Sequence, residues 1–185
     1  MNKTGTTSLH YALLHLGFNS LHFAPNRGAP LPEHIKEAHK VVALIESAKQ
    51  HGDLLLKDYD EFDAFIDVGP VISYFQILDE QYPGSKFIYT WRDMTGWINS
   101  RIRHVQRNRR NKAKGLYNGN FLQIEPEKWE AGRKAFEKRV MAYFQDRPDD
   151  LLSFNIISGE GWEKLCPFLG FPIVGKPFPW KNKVK

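Results

Sequence analysis

Apolar residues recur along this chain with two spacings. From Thr6 to Leu16, Leu9, Leu13 and Leu16 fall at i, i+4 and i+7, and Gly17 follows; this predicts a helix and its stop. Asn19 to Phe23 predicts a short strand. Pro32 predicts the opening of a helix that carries Ile35, Ala38, Val42 and Ile45 on one face and ends near Gly52. Asp63 to Val68 predicts a buried strand, and Val71 to Glu80 a helix with Ile72, Phe75 and Leu78 inward. Tyr82-Pro83-Gly84 breaks the chain. Lys86 to Trp91 predicts a strand and Met94 to about Arg110 a helix. Pro126 to Phe144 predicts another helix, with Trp129, Phe136, Val140 and Tyr143 on a core-facing stripe. Leu151 to Asn155 predicts a strand and Gly161 to Leu169 a short helix. Strands that alternate with helices predict a parallel sheet covered on both faces.

Composition narrows the class without naming a function. At 185 residues the chain fits one domain, expected to span 1–185. Hydrophobic residues at 42% exclude a disordered chain. Cys166, the single cysteine, excludes a disulfide scaffold and reads as a small buried hydrophobe beside Leu165 and Phe168. No apolar run approaches a membrane span, and the mean hydropathy is −0.48. No apolar leader run opens the sequence, so a cytoplasmic location is expected. The seven histidines are scattered and no metal-ligand spacing appears, so no metal is expected.

Charge is local. The 26 Lys and Arg exceed the 21 Asp and Glu by +5. Arg101 to Lys114 holds five Arg and two Lys and no acid, so without it the chain has 19 basic against 21 acidic residues, a net of −2. Such a run is either a solvated helix face or an anion-facing clamp.

Two motifs favour an anion. Lys3 to Ser8 reads KTGTTS and runs straight into the first predicted helix. Amides at a helix start lack intrahelical partners, and the helix dipole adds positive potential there. Lys3 adds a full charge, and Thr4, Thr6, Thr7 and Ser8 add hydroxyl donors around Gly5. A triphosphate loop of the form GxxxxGK[ST] would need a lysine where Thr6 stands, so a magnesium-bound triphosphate is disfavoured. The second motif, KFIYTWRDMTGWINS, places Arg92 at a strand end and Ser100 in the next helix. A guanidinium offers a bidentate fork for phosphate, and a nearby hydroxyl adds a donor.

Together these motifs resemble sulfotransferases that use 3′-phosphoadenosine 5′-phosphosulfate. The resemblance continues through DRPDDLLSFNIISGEGWEKLCPFLGFP and PFPWKN at the C-terminal end. It implies an α/β fold of the phosphate-loop NTPase-like kind, a three-layer parallel sheet flanked by helices. It implies sulfuryl transfer from 3′-phosphoadenosine 5′-phosphosulfate to an acceptor hydroxyl, without a metal. Lys3 and the loop of residues 4–8 would take the 5′-phosphate and the bridging oxygen, and Arg92 and Ser100 the 3′-phosphate. Family members carry an apolar strand and a glycine ahead of the lysine motif. Met1 stands one position after that glycine's place, so the resemblance implies a sheet with its first strand missing. A general base is expected after the strand that precedes the Arg92 strand. Asp67 stands there, where partial burial can raise a carboxyl's pKa and where a strand-end Asp capping the helix after Pro70 is the alternative, while His22 and His104 are weaker candidates. The acceptor implied is a hydroxyl compound, with an anionic glycan and a small alcohol as the candidates. An inactive domain of this fold and a basic nucleic-acid-binding domain stay open as alternatives, the second leaving both motifs without a role.

Overall fold

The computed structural model describes residues 3–22 and 38–181. The chain order is α1 (Thr6–His15), β1 (Ser20–His22), α2 (Ala38–His51), β2 (Ala64–Ile66), α3 (Gly69–Ser73), α4 (Phe75–Gln81), β3 (Phe87–Thr90), α5 (Met94–Ala113), α6 (Pro126–Tyr143), β4 (Leu151–Phe154) and α7 (Trp162–Leu169), with short 3-10 turns at Pro148–Asp150 and Ile156–Ser158. The predicted elements therefore occur in the predicted order. The expected helix start at Pro32, Ile35 and the strand end at Phe23 lie outside the described residues.

Two details depart from the periodicity. α2 buries Val41, Ile45 and Ala48, while Val42 is only half-buried. The single helix expected over residues 71–80 is two, broken at Tyr74. The Tyr74 hydroxyl donates to Glu46 on α2 at 2.8–2.9 Å, and the Lys49 ammonium stands 4.0 Å from its ring. These contacts with α2 fix Tyr74 where the helix changes direction.

In place of one sheet, the strands pair as two. β1 runs parallel to β2, with Leu21 opposite Phe65; β3 runs parallel to β4, with Tyr89 opposite Ser153. Alternation sorts their side chains to two faces. Ile66, Ile88, Leu152 and Phe154 pack with α1 and α7 on one side. On the other, Phe65 packs with α2 and α4, and Phe87 and Leu151 pack with α4 and α6. Helices thus cover both faces, as an α/β fold requires.

β2 and β3 do not pair with each other. A cavity of about 930 Å³ runs between them, lined by consecutive residues 64–67 of one strand segment and 86–90 of the other. Consecutive strand residues point to opposite faces, so a cavity that touches all of them follows the strand edges. Their edge N–H and C=O groups face this space without a sheet partner.

Candidate active site

The polar loop at Lys3–Ser8 closes one end of that cavity. Thr4 is fully buried, and its Oγ1 lies 2.7 Å from Thr90 Oγ1 at the end of β3. Thr6 Oγ1 donates to Asp67 Oδ2 at 2.6 Å, just past the end of β2. One loop therefore bridges the C-terminal ends of both strands. This requires β2 and β3 to point the same way.

The loop's backbone is unusual where it must be. Gly5 sits at φ 92, and a Cβ there would lie 3.0 Å from Ile156 Cβ. Glycine is needed both for the left-handed turn and for the close packing on the turn at Ile156–Ser158. Lys3 at φ 68 and Asp67 at φ 57 are non-glycine residues in the left-handed region, a strain of about 1–2 kcal/mol each. Gly5 caps α1 with no side-chain hydrogen bond, so the amides of the first turn keep their donor capacity.

The hydroxyls behave differently from expectation. Those of Thr4, Thr6 and Ser8 already have protein partners; Ser8 Oγ accepts from the Lys181 amide at 3.0 Å. They act as framework for the loop. Lys3 and Thr7 are half-buried at its surface.

Asp67 belongs to a buried polar group that sequence reasoning did not assemble. His22 Nε2 lies 3.8 Å from Asp67 Oδ2, the His22 ring stacks on His10 at 5.3 Å, and His10 Nδ1 is 3.0 Å from Ser20 Oγ. A raised Asp67 pKa is not found. Burial pushes that carboxyl up, but the His22 contact, the amino-terminal positive charge and the Thr6 hydrogen bond together outweigh burial and hold it below the ordinary carboxylate range. Burial, aided by the charge of His22, lowers the His10 imidazole from 6.5 to about 4. His104 stands away from this group, against Phe121 at 5.5 Å.

Arg92 follows β3 by two residues, so the Thr4–Thr90 contact ties the loop directly to the arginine motif. Asp93 caps α5, its Oδ1 accepting from the Gly96 amide at 2.5 Å. The Arg92 guanidinium folds back over the first turn of α5, because a Cβ on Gly96 would lie 2.5 Å from Arg92 Nη2. Ser100 stands one turn beyond Gly96 on the same helix face and is half-buried. Among the described residues, the Arg92 Nε is buried without a hydrogen-bond partner, and the Asp93 carboxylate is 3.6 Å away. Buried donors left this way suit an incoming anion.

The basic run on α5 divides. Arg101 turns inward, its guanidinium 4.6–4.9 Å from the rings of Trp97, Phe121 and Trp129. Arg109 Nε donates to the Leu122 carbonyl at 2.7 Å. Arg103, Arg107, Arg110, Lys112 and Lys114 are exposed. A residue outside every motif, Arg133 on α6, is buried at 5% exposure and donates to the Arg92 carbonyl at 2.5 Å. Its position forty-one residues further along the chain gave no local signal. Gly96 did give one: a glycine in the first turn of a helix calls for a reason.

An uncapped helix start joined to an arginine-bearing strand end is an arrangement suited to an anion. The family comparison makes that reading specific. A sulfotransferase-domain family matches the chain over two overlapping stretches, residues 1–126 and 111–185, and the chain belongs to that family. It is accordingly a transferase of the sulfotransferase kind. A comparison with curated proteins finds no match. Among the described residues, no helix is long and apolar enough to cross a membrane.

Proposed function

We propose that the chain uses 3′-phosphoadenosine 5′-phosphosulfate, with Lys3 and the amides of the 4–8 loop on the 5′ side and Arg92 with Ser100 on the 3′-phosphate. The observation that carries this reading is the 2.7 Å contact of Thr4 with Thr90, which sets the two anion-suited elements side by side. The donor, when bound, supplies the sulfuryl group that moves to an acceptor hydroxyl. This chain's residues position it and answer its charge. Lys3 and the first-turn amides of α1 face the bridging oxygen, where negative charge grows during in-line displacement. Arg92 and Ser100 hold the far end, so that remote binding fixes the reacting end. Asp67, ionised and hydrogen-bonded to Thr6, keeps the loop in register and stands closest to the loop among the candidates for the acceptor's base.

The same reading extends to the fold. A fifth, apolar strand in the cavity would pair with β2 and β3 and join the two pairs into one sheet, the three-layer phosphate-loop arrangement. Both open edges already run the same way, as a central parallel strand needs.

Thermal unfolding against adenosine 3′,5′-bisphosphate, ATP with magnesium and a single-stranded oligonucleotide tests the function. A rise in Tm with the bisphosphate alone is expected. A rise with the oligonucleotide alone would favour a basic nucleic-acid binder, and no rise with any would favour an inactive domain. The same measurement on a chain extended ahead of Met1 by an apolar strand tests the fold. Extension is expected to raise Tm before any ligand is added, and an unchanged Tm counts against the joined sheet.

A further inference from the structure

Three guanidiniums surround Trp97, which is itself 2% exposed. Arg101 and Arg133 lie 4.9 and 5.0 Å from its ring, and Arg92 lies over the helix turn that carries it. Arg133 is the most buried of them. Its donors go to the Arg92 carbonyl at 2.5 Å and, more weakly, to Met94 Sδ at 3.9 Å, it neighbours the Tyr89 hydroxyl that Glu137 also approaches, and its Nε has no partner among the described residues. No carboxylate pairs with Arg133 among the described residues. A buried cation without a counter-charge is costly in the absence of an anion and favourable in its presence.

Gly96 adds a second, independent constraint. The Cβ of any other residue would fall 2.5 Å from Arg92 Nη2 and 2.6 Å from Asp93 Oδ2. Both are ends of flexible side chains, not backbone. A methyl group at position 96 therefore displaces the arginine and presses on the Asp93 carboxylate that caps the helix. Alanine is in fact the better helix former.

We propose that Gly96 and Arg133 are positioning residues for Arg92. Gly96 leaves room for the guanidinium to lie flat on the first turn of α5, beside the Ser100 face. Arg133 pins the Arg92 backbone through its carbonyl and adds a second positive charge behind the same anion. The inference deepens the donor reading and rests on its assignment of Arg92 to the 3′-phosphate.

Isothermal titration of wild type, Gly96→Ala, Arg133→Met and Arg133→Lys separates the two. The probes are adenosine 3′,5′-bisphosphate, adenosine 5′-monophosphate and inorganic phosphate. Gly96→Ala is expected to weaken the bisphosphate about tenfold, with the monophosphate unchanged and the fold retained, alanine's helix propensity offsetting the crowded Asp93 cap. Arg133→Met is expected to weaken it comparably and to flatten its salt dependence. Arg133→Lys should recover the salt dependence, through retained charge, but not the full affinity. Bisphosphate affinity of Gly96→Ala equal to wild type overturns the inference and leaves the donor reading standing. Wild type that binds no bisphosphate overturns the donor reading. Phosphate then decides the inference: weaker binding by Gly96→Ala supports it, and equal binding by wild type and Gly96→Ala overturns it.

Discussion

The loop at residues 3–8 and the Arg92 region prepare for an anion by opposite means. The loop works through backbone. Its threonine and serine side chains turn inward to Thr90, Asp67 and the Lys181 amide, and its glycine allows the turn that aims the α1 amides outward. The Arg92 region works through side chains. Its guanidiniums are held by tryptophan and phenylalanine faces, by a carbonyl and by the space above Gly96. Backbone donors fixed by buried hydroxyls cannot relax when charge moves, which suits the reacting end of a donor. Guanidiniums on aromatic supports keep long-range charge and a forked geometry, which suits anchoring.

That difference predicts a division between rate and affinity. Lys3→Ala is expected to lower donor turnover by about 100- to 1,000-fold while bisphosphate affinity changes much less. Arg92→Ala is expected to weaken the bisphosphate by about 10- to 100-fold, the range of a lost charge-assisted pair. Steady-state turnover beside direct titration reads both. Equal affinity in wild type and Arg92→Ala would remove the anchoring half of the comparison. An unchanged rate in Lys3→Ala would remove the other.

The two regions were not equally legible in the sequence. KTGTTS before an amphipathic run marks an anion-suited helix start, and the helix does begin at Thr6. Arg92 and Ser100 were legible as strand end and helix face. What held them was not. The partner of Thr4 is 86 residues away and that of Thr6 is 61 away, and hydroxyl pairing across such separations leaves no periodic trace. The basic run showed seven charges but not that Arg101 is half-buried among aromatics, since which face of α5 turns inward depends on α6 and Phe121. Asp67 shows the limit most clearly. Burial can raise its pKa, and burial does act in that direction. His22, the amino-terminal charge and Thr6, all distant in sequence, together reverse the sign. At Tyr74, likewise, helical spacing was continuous but a hydrogen bond to Glu46 on another helix ended it.

Behind the loop, the comparison extends to pH. His10 is buried, stacked on His22 and Tyr11 and bonded to Ser20, with its pKa lowered to about 4 by burial first and by the His22 charge second. Its folded form binds fewer protons than its unfolded form between pH 6.5 and about 4. Stability is therefore full above the unfolded value, declines as pH falls through that window, and levels off below the folded value; the contribution is roughly 3 kcal/mol. The Asp67 carboxyl, with its pKa below 3.8, adds its loss only at still lower pH. Urea unfolding at stepped pH is expected to show the decline in wild type and a shallower one in His10→Gln. An equal slope in both would place the acid sensitivity elsewhere.

The smallest predicted effect tests whether the two regions are one site. Thr4 and Thr90 join them through a single buried contact, at 0% and 4% exposure. Valine replaces threonine with nearly the same shape and no hydroxyl. Thr4→Val deprives Thr90 of its partner, and an unsatisfied buried hydroxyl costs about 1–3 kcal/mol. Removing both hydroxyls leaves neither member of the pair unsatisfied, so Thr4→Val with Thr90→Val is expected to be no less stable than Thr4→Val alone. Urea unfolding of the four proteins closes the cycle, and strong non-additivity is the signature of direct coupling. The binding consequence is finer. Because the contact ties the loop to the strand that carries Arg92, each single variant should weaken the bisphosphate by a few-fold and leave inorganic phosphate unaffected, since only a ligand that spans both ends feels their spacing. Additive stabilities, or equal loss of both ligands, would mean that the loop and the arginine are neighbours without being mechanically joined.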